Sequence, residues 1–304
     1  MKQIRIGTCI PGPFAQAWMP HLVEAGFETV SINNHMSLNG IKMEEQAPKL
    51  LELLEGTGVE ITTFGYYCNA LQFDEHRQTL EYAIDNAHRY GATVVSTFAG
   101  ALEGKSVDES MSKFGEVYRE LAKRAEDRGV RIAIENCPMG GTWDNLTCNL
   151  GFNPRAWEMM FNEVPSPALG LEWEPAHQMI QLIDPIPQLK KWIKKVYHMH
   201  GKDASVDMAA VREYGVMRSS DHYAPQRTVG FGDTNWRDIY SILYAGGYEG
   251  DICVEGYHDP VYSRAWEMVG QLHALNYLKW CRGGDFVENP WQKMRFEGAP
   301  DMEF

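Results

Sequence analysis

Four short stretches of the chain concentrate groups that can move protons or hold a cation. Glu135 ends the run Arg-Ile-Ala-Ile-Glu-Asn, and Glu172 and Glu174 stand two apart in Leu-Gly-Leu-Glu-Trp-Glu-Pro-Ala-His, which closes on His177. His198 and His200 alternate in Val-Tyr-His-Met-His-Gly-Lys-Asp, ahead of Lys202 and Asp203, and Glu255 follows Asp-Ile-Cys-Val. Each stretch reads as a β-strand, in which successive side chains point to opposite faces. Ile132, Ile134, Leu169, Leu171 and Trp173 then share one face, and Glu135, Glu172, Glu174, His198, His200 and Glu255 the other. Three carboxylates converging without a cation would repel and raise one another's pKa, and a divalent metal removes that conflict. The expected ligands are Glu135, Glu174, His200 and Glu255 around one ion. Oxygen donors with an imidazole suit Mn²⁺ first, then Mg²⁺ or Co²⁺, while Zn²⁺ has the affinity to enter. Taken singly, a Glu at a strand end is ordinarily solvated and an inward His is ordinarily a hydrogen-bonded core residue. Agreement of parity and position over four consecutive strands is what packing alone does not produce.

The elements that must position these groups alternate along the chain. Strand-like runs fall at residues 4–10, 29–33, 60–66, 93–98, 131–135, 169–174, 196–200 and 251–255. Helical periodicity fills residues 14–25, 43–56, 74–90, 107–128, 154–162, 185–195, 236–246 and 262–281, with Gly26, Gly91, Gly129 and Gly246 as stops. Eight βα units in about 280 residues predict an α/β protein, a single-domain (β/α)8 TIM barrel over residues 1–281. In that fold the carboxyl ends of the strands build the active site, which is where the ionisable groups stand. Residues 201–235 form a long loop after the seventh strand, of the length of a lid or binding loop. Residues 282–304 form a C-terminal extension whose Trp291, Met294 and Phe296 would pack on the barrel or on a second copy in a homo-oligomer.

Composition removes several classes. The 304 residues are 44% hydrophobic and 23% charged, an ordinary globular balance. Twenty-eight Lys and Arg against 41 Asp and Glu give a formal charge of −13, which argues against nucleic acid and anionic membranes as partners. The six cysteines are scattered with no CxxC pair, so neither a zinc knuckle nor a disulfide framework is expected, and Cys137 and Cys253 read as buried thiols. The first ten residues alternate polar and apolar, and no run of about 18 apolar residues occurs, which together predict a cytoplasmic protein.

With these residues in this order, the chain resembles the xylose isomerase-like TIM barrel superfamily, the sugar phosphate isomerase/epimerase group that also includes endonuclease IV. The likeness spans residues 4–281. Its carriers are Ile134-Glu135-Asn136, Glu174-Pro175-Ala176-His177, His198-Met199-His200-Gly201-Lys202-Asp203, Gly230-Phe231-Gly232 with Asn235-Trp236, and Gly247-Tyr248-Glu249-Gly250 leading to Val254-Glu255-Gly256. The resemblance implies one metal held by Glu135, Glu174, His200 and Glu255, with Glu135 and Glu255 as the acid/base pair. It places His177 against the substrate or just behind the metal. The family ordinarily carries Asp where Glu174 stands, so Glu172 competes for the same role.

The expected chemistry is isomerisation or epimerisation of a sugar or keto-sugar through a metal-stabilised enediolate. Lys202 would stabilise the oxyanion or act as a third acid/base. His177, Glu172, His198 and the loop residue Arg227 would contact the substrate, Gly230 and Gly232 would cover it, and Asp233, Thr234 and Asn235 would cap the next helix. The alternative is a lyase or hydratase acting on a keto-sugar or inosose, since the same enediolate can expel a β-hydroxyl. An endonuclease IV-like phosphodiesterase ranks behind both, because the charge is unfavourable and the nearest counterpart of its extra ligand pair is the adjacent Asp221-His222. A ligand-binding barrel without catalysis ranks last. Neutral substrates are favoured over phosphorylated ones, since no Gly-rich anion cradle with basic residues follows the last two strands.

Overall fold

A computed structural model describes residues 3–284 and 287. Among them, eight parallel strands close into a barrel: β1 (Arg5–Pro11), β2 (Thr29–His35), β3 (Glu60–Tyr67), β4 (Val94–Thr97), β5 (Arg131–Glu135), β6 (Leu169–Trp173), β7 (Val196–Gly201) and β10 (Asp251–Val254). Sequential neighbours pair around the circle, and β10 closes it against β1 with Arg5 opposite Asp251. Every strand expected from the alternation is present. The (β/α)8 architecture read from the sequence is the one observed.

The helices α1 (Ala15–Ala25), α2 (Met43–Leu54), α3 (Asp74–Asn86), α4 (Val107–Arg128), α5 (Pro154–Glu163), α7 (Pro185–Trp192), α9 (Trp236–Gly246) and α10 (Glu267–Arg282) follow the barrel strands in turn. Outward strand residues such as Ile32, Ile134, Leu171, Trp173 and Ile252 are fully buried against helix residues that include Met19, Leu50, Phe114, Trp157 and Trp236. Burial of this apolar layer is the main favourable term holding the barrel. The ends of the helices are set locally. Ser106 and Glu109 form a reciprocal capping box at the start of α4, and Gly129 ends that helix at φ 66°, a left-handed conformation that favours glycine. The stop of α9 is Gly247 at φ 68°, one residue beyond the glycine expected.

The insertion after β7 is ordered. It holds a two-stranded antiparallel ribbon, β8 (Asp203–Ala204) with β9 (Gln226–Arg227), and the short helix α8 (Met208–Tyr214). Buried Asp203 fixes its base, accepting hydrogen bonds from Ala204 N, Thr234 N, Thr234 Oγ1 and Trp236 Nε1 at 2.5–3.1 Å. Asn235 caps α9 as expected, accepting from Asp238 N. A four-residue helix, α6 (Ala176–Met179), follows β6. Among the described residues no helix is long and apolar enough to cross a membrane. Trp291, Met294 and Phe296, on which the expectation for the C-terminal extension rested, lie outside the described residues.

Candidate active site

The carboxyl ends of β5, β6, β7 and β10 bring Glu135, Glu174, His200 and Glu255 together, with one donor atom from each within 4.8 Å of the others. Glu174, rather than Glu172, joins this group. Its position is set by Asn136, whose side chain clasps the Glu174 backbone by donating to its carbonyl and accepting from its N–H, both at 2.9 Å. Asn149 braces the end of β5 in the same manner, donating to the carbonyls of Glu135 and Cys137. His200 Nδ1 faces Glu255 Oε2 at 3.1 Å and Glu135 Oε1 at 3.4 Å. Its Nε2 faces Glu172 Oε1 at 3.2 Å and Tyr67 Oη at 3.4 Å.

Glu172 and His198 lie one layer deeper, fully buried. The Glu172 carboxylate receives His198 Nδ1 at 2.6 Å and the Tyr67 hydroxyl at 2.8 Å, as well as facing His200. Neither Glu172 nor His198, which the sequence suggested as substrate contacts, lines the cavity at the barrel mouth. Arg227 is also away from that cavity. Its guanidinium is engaged by Asp259 at 3.1 Å, and the same carboxylate accepts from the backbone of Thr228, Val261 and Tyr262, clipping the insertion to the loop after β10. Asp221 and His222 are exposed on a turn, outside the cluster. His177 and Lys202 do line the cavity.

Electrostatics separates the acids. Burial and the repulsion of Glu255 leave Glu135 above its ordinary pKa, although His200 opposes the rise. Burial pushes Glu174 up to about 7, although Lys202 draws it down. Burial would raise Glu255 as well, yet Lys202 and His200 hold it well below the usual carboxylate range. Lys202 sits 3.1 Å from Glu255 Oε2 and 3.9 Å from Glu174 Oε2. Burial alone would depress this lysine, but the surrounding carboxylates raise it, which favours the ammonium form. Burial pushes His177 down to about 3, leaving it a neutral ring.

The donor set fits a divalent cation. Among the described residues, both Glu174 oxygens and His200 Nδ1 are buried without a hydrogen-bond partner, and His177 Nε2 lies 2.7 Å from Glu174 Oε1 outside hydrogen-bonding geometry. Buried polar atoms are ordinarily satisfied, and three carboxylates with one imidazole are the ligands that hard and borderline divalent ions take. The cavity above them measures about 1180 Å³. Its wall includes groups that sequence reasoning did not find: Tyr67, His35, Phe98, Tyr257, and His258 at 3.6 Å from Glu255 Oε1. Gly140, Gly141 and Thr142 of the long β5–α5 loop line it too.

Comparison with known proteins accords with the barrel fold. The model of the family described as "Xylose isomerase-like TIM barrel" matches residues 20–279. The uncharacterized protein YfiH of Bacillus subtilis (strain 168) is 27% identical over 147 residues, 45% of this chain, and the match spans only 44% of YfiH's own length. An inosose dehydratase of Bacillus thuringiensis (strain Al Hakam) is 23% identical over 274 residues, 84% of this chain and 85% of that one. The crystal structure of 3-keto-D-glucoside 4-epimerase, YcjR, from E. coli superposes with a TM-score of 0.68 at 15% identity, covering 92% of this chain and 100% of the other.

Proposed function

This chain belongs to the xylose isomerase-like TIM barrel family, and we propose that it is a divalent-metal-dependent isomerase or epimerase of a sugar or keto-sugar. The observation that carries the reading is the pair Glu135 and Glu255, which approach the same His200 nitrogen from β5 and β10 with their proton affinities displaced in opposite directions. Two carboxyls whose proton affinities are displaced apart can divide the acid and base roles between them. Glu135, Glu174, His200 and Glu255 would hold the ion, Mn²⁺ before Mg²⁺, Co²⁺ or Zn²⁺. When bound, a divalent ion supplies Lewis-acid polarisation of a substrate carbonyl and its neighbouring hydroxyl.

The protein's own groups divide the remaining work. Glu255, the carboxyl of lower proton affinity, removes the proton from the carbon beside the carbonyl, and Glu135, the one of higher proton affinity, returns one at the other face. Lys202, a buried ammonium beside Glu255, balances the negative charge that develops on the enediolate oxygen. His177, neutral and at the cavity wall, offers a ring nitrogen to a sugar hydroxyl. Among the described residues, the fixed cations lining the cavity are Lys202, already paired, and Arg218, which favours neutral substrates over phosphorylated ones.

A second reading, dehydration of a keto-sugar or inosose, has the support of the inosose dehydratase relative, aligned over most of both chains. The test incubates Mn²⁺-loaded protein with ketoses and inososes in D₂O. Loss of the α-proton signal by NMR with an epimeric product that carries deuterium at that carbon is the expected result, and an ultraviolet-absorbing product formed with loss of one water would assign the dehydratase. Glu135→Gln and Glu255→Gln should each lower the exchange rate about 10²–10⁴-fold. Exchange unaffected by either substitution overturns the assignment of the pair.

A further inference from the structure

The barrel interior contains a second group of donors, below the mouth and separate from it: His198, Asp251 and Cys253, all buried, with one donor atom from each within 4.8 Å of the others. His198 Nε2 lies 3.6 Å from Asp251 Oδ1, and Cys253 Sγ lies 3.5 Å from Asp251 Oδ2. Donors arranged tetrahedrally around a divalent ion at bond lengths of about 2.0–2.3 Å stand about 3.3–3.7 Å apart, and the spacing from each of His198 and Cys253 to its nearer oxygen of the Asp251 carboxylate falls in that range.

The donors are also held in orientation. His198 directs Nδ1 at Glu172 Oε1, 2.6 Å away, so that side carries a ring proton, and in the neutral ring a metal requires, Nε2 is the lone-pair donor. Among the described residues that Nε2 is completely buried and has no hydrogen-bond partner. A carboxylate behind an imidazole whose other nitrogen faces the site is the arrangement by which metal-bound histidines are held in register. Asp251 is fixed in the same way, its Oδ2 accepting from Thr62 Oγ1 at 2.6 Å. A further oxygen, the Thr29 hydroxyl, lies 3.9 Å from Cys253 Sγ. From outside, a cavity of about 390 Å³ at the amino-terminal end of the barrel reaches Asp251, lined there by Thr62 and Thr63.

We propose that His198, Asp251 and Cys253 form a second, interior metal site for a thiolate-accepting divalent ion, Zn²⁺ or Co²⁺ in type, distinct from the site at the mouth. Nitrogen, oxygen and sulfur donors together select such ions over Mg²⁺ and Ca²⁺. Glu172 stands between the two sites, one oxygen facing both His198 and His200, so the interior ion holds in place the carboxylate that orients His200.

The test loads the full-length protein with Co²⁺ and reads two quantities, bound metal per chain and the thiolate-to-cobalt charge-transfer absorption in the near ultraviolet. Two equivalents with that absorption are expected. Cys253→Ala, or Cys253→Ser should alanine impair folding, removes the absorption and one equivalent, and His198→Gln removes the same equivalent. Glu174→Gln, at the mouth, removes the other equivalent and leaves the absorption. A wild-type protein without thiolate absorption, whose interior then holds solvent only, overturns the proposal. So does absorption that survives loss of Cys253. The absorption is read apart from catalysis, so failure of the proposed activity leaves this result intact, and the reverse.

Discussion

Replacing Glu172 with Gln changes one charge and almost no volume, and it tests whether this carboxylate organises the mouth site from behind. One oxygen faces His198 Nδ1 at 2.6 Å and His200 Nε2 at 3.2 Å, and the other accepts from Tyr67 at 2.8 Å. A glutamine with its carbonyl toward the histidines keeps both contacts, and its amide can donate to Tyr67, so the fold should survive. What disappears is charge. A hydrogen bond to an ionised group contributes about 1.5–3 kcal/mol where a neutral one contributes about 0.5–1.5, so two such bonds weaken by about 2 kcal/mol in total. That corresponds to about 30-fold in metal affinity at the mouth, within the roughly 10–100-fold range for groups that support metal-bound histidines. The measurement is a competitive chelator titration on the Cys253→Ala background, so that only the mouth site is read, with circular dichroism confirming the fold. A folded Glu172→Gln protein whose affinity stays within about twofold of its parent refutes the reasoning.

Two further substitutions probe the frame. Asp259 is buried, which alone would raise its pKa, but the N–H groups of Tyr262, Thr228 and Val261 and the Arg227 side chain hold it below the usual carboxylate range. A depressed native pKa gives stability that is present above the unfolded value near pH 4 and lost as the pH falls through the native one. Asp259→Asn should therefore cost on the order of 1–3 kcal/mol in urea unfolding at pH 7, with the gap to wild type narrowing below about pH 4; a pH-independent gap would count against this account. Gly170 on β6 has no room for a side chain, since a Cβ there would meet the Lys195 carbonyl and the Tyr197 ring. Gly170→Ala should lower stability by on the order of 1–3 kcal/mol, and an unchanged Tm would show that β7 yields freely at that point.

The barrel was legible because each strand carries its apolar face in plain alternation, and the four mouth residues were legible because the same alternation fixes their side. Tyr67 was hidden for the same reason in reverse. Between Ile61, opposite Val30, and Thr63, opposite Ser31, β3 contains one extra residue, and that bulge reverses the facing of everything beyond it. Alternation counted from Ile61 sends Tyr67 to the helices, whereas the structure points it at Glu172. Arg227 was misplaced because its partner Asp259 is 32 residues further along the chain, a pairing that no local pattern carries. The ordering of the insertion escaped for a similar reason, since Asp203 reaches across to Thr234 and Trp236. His177 could be found because the turn after β6 keeps it close to Glu174 in sequence and in space.

The strand interior also explains why one barrel can carry so many charged groups. Interiors of this fold are ordinarily filled by layers of Val, Ile and Leu. Here the register aligns Gly7 with Thr29 and Cys253, Cys9 with Ser31, Ser31 with Thr63, Gly65 with Ser96, and Ala133 with Gly170, so small and polar residues fill the inward positions below the mouth. Among the described residues, the buried hydroxyls of Thr63 and Ser96 have no hydrogen-bond partner, as is true of His198 Nε2. An interior of this kind contributes little apolar burial, so the stability of the barrel rests on the strand–helix layer, where Trp157, Trp173 and Trp236 are fully buried. The inner layer is thereby free to serve chemistry. Its charges tolerate burial only as a connected set, because an isolated buried ion is far costlier than a paired one. Glu172 makes that connection, and this is why an isosteric change of a residue that does not line the cavity is expected to register at the metal.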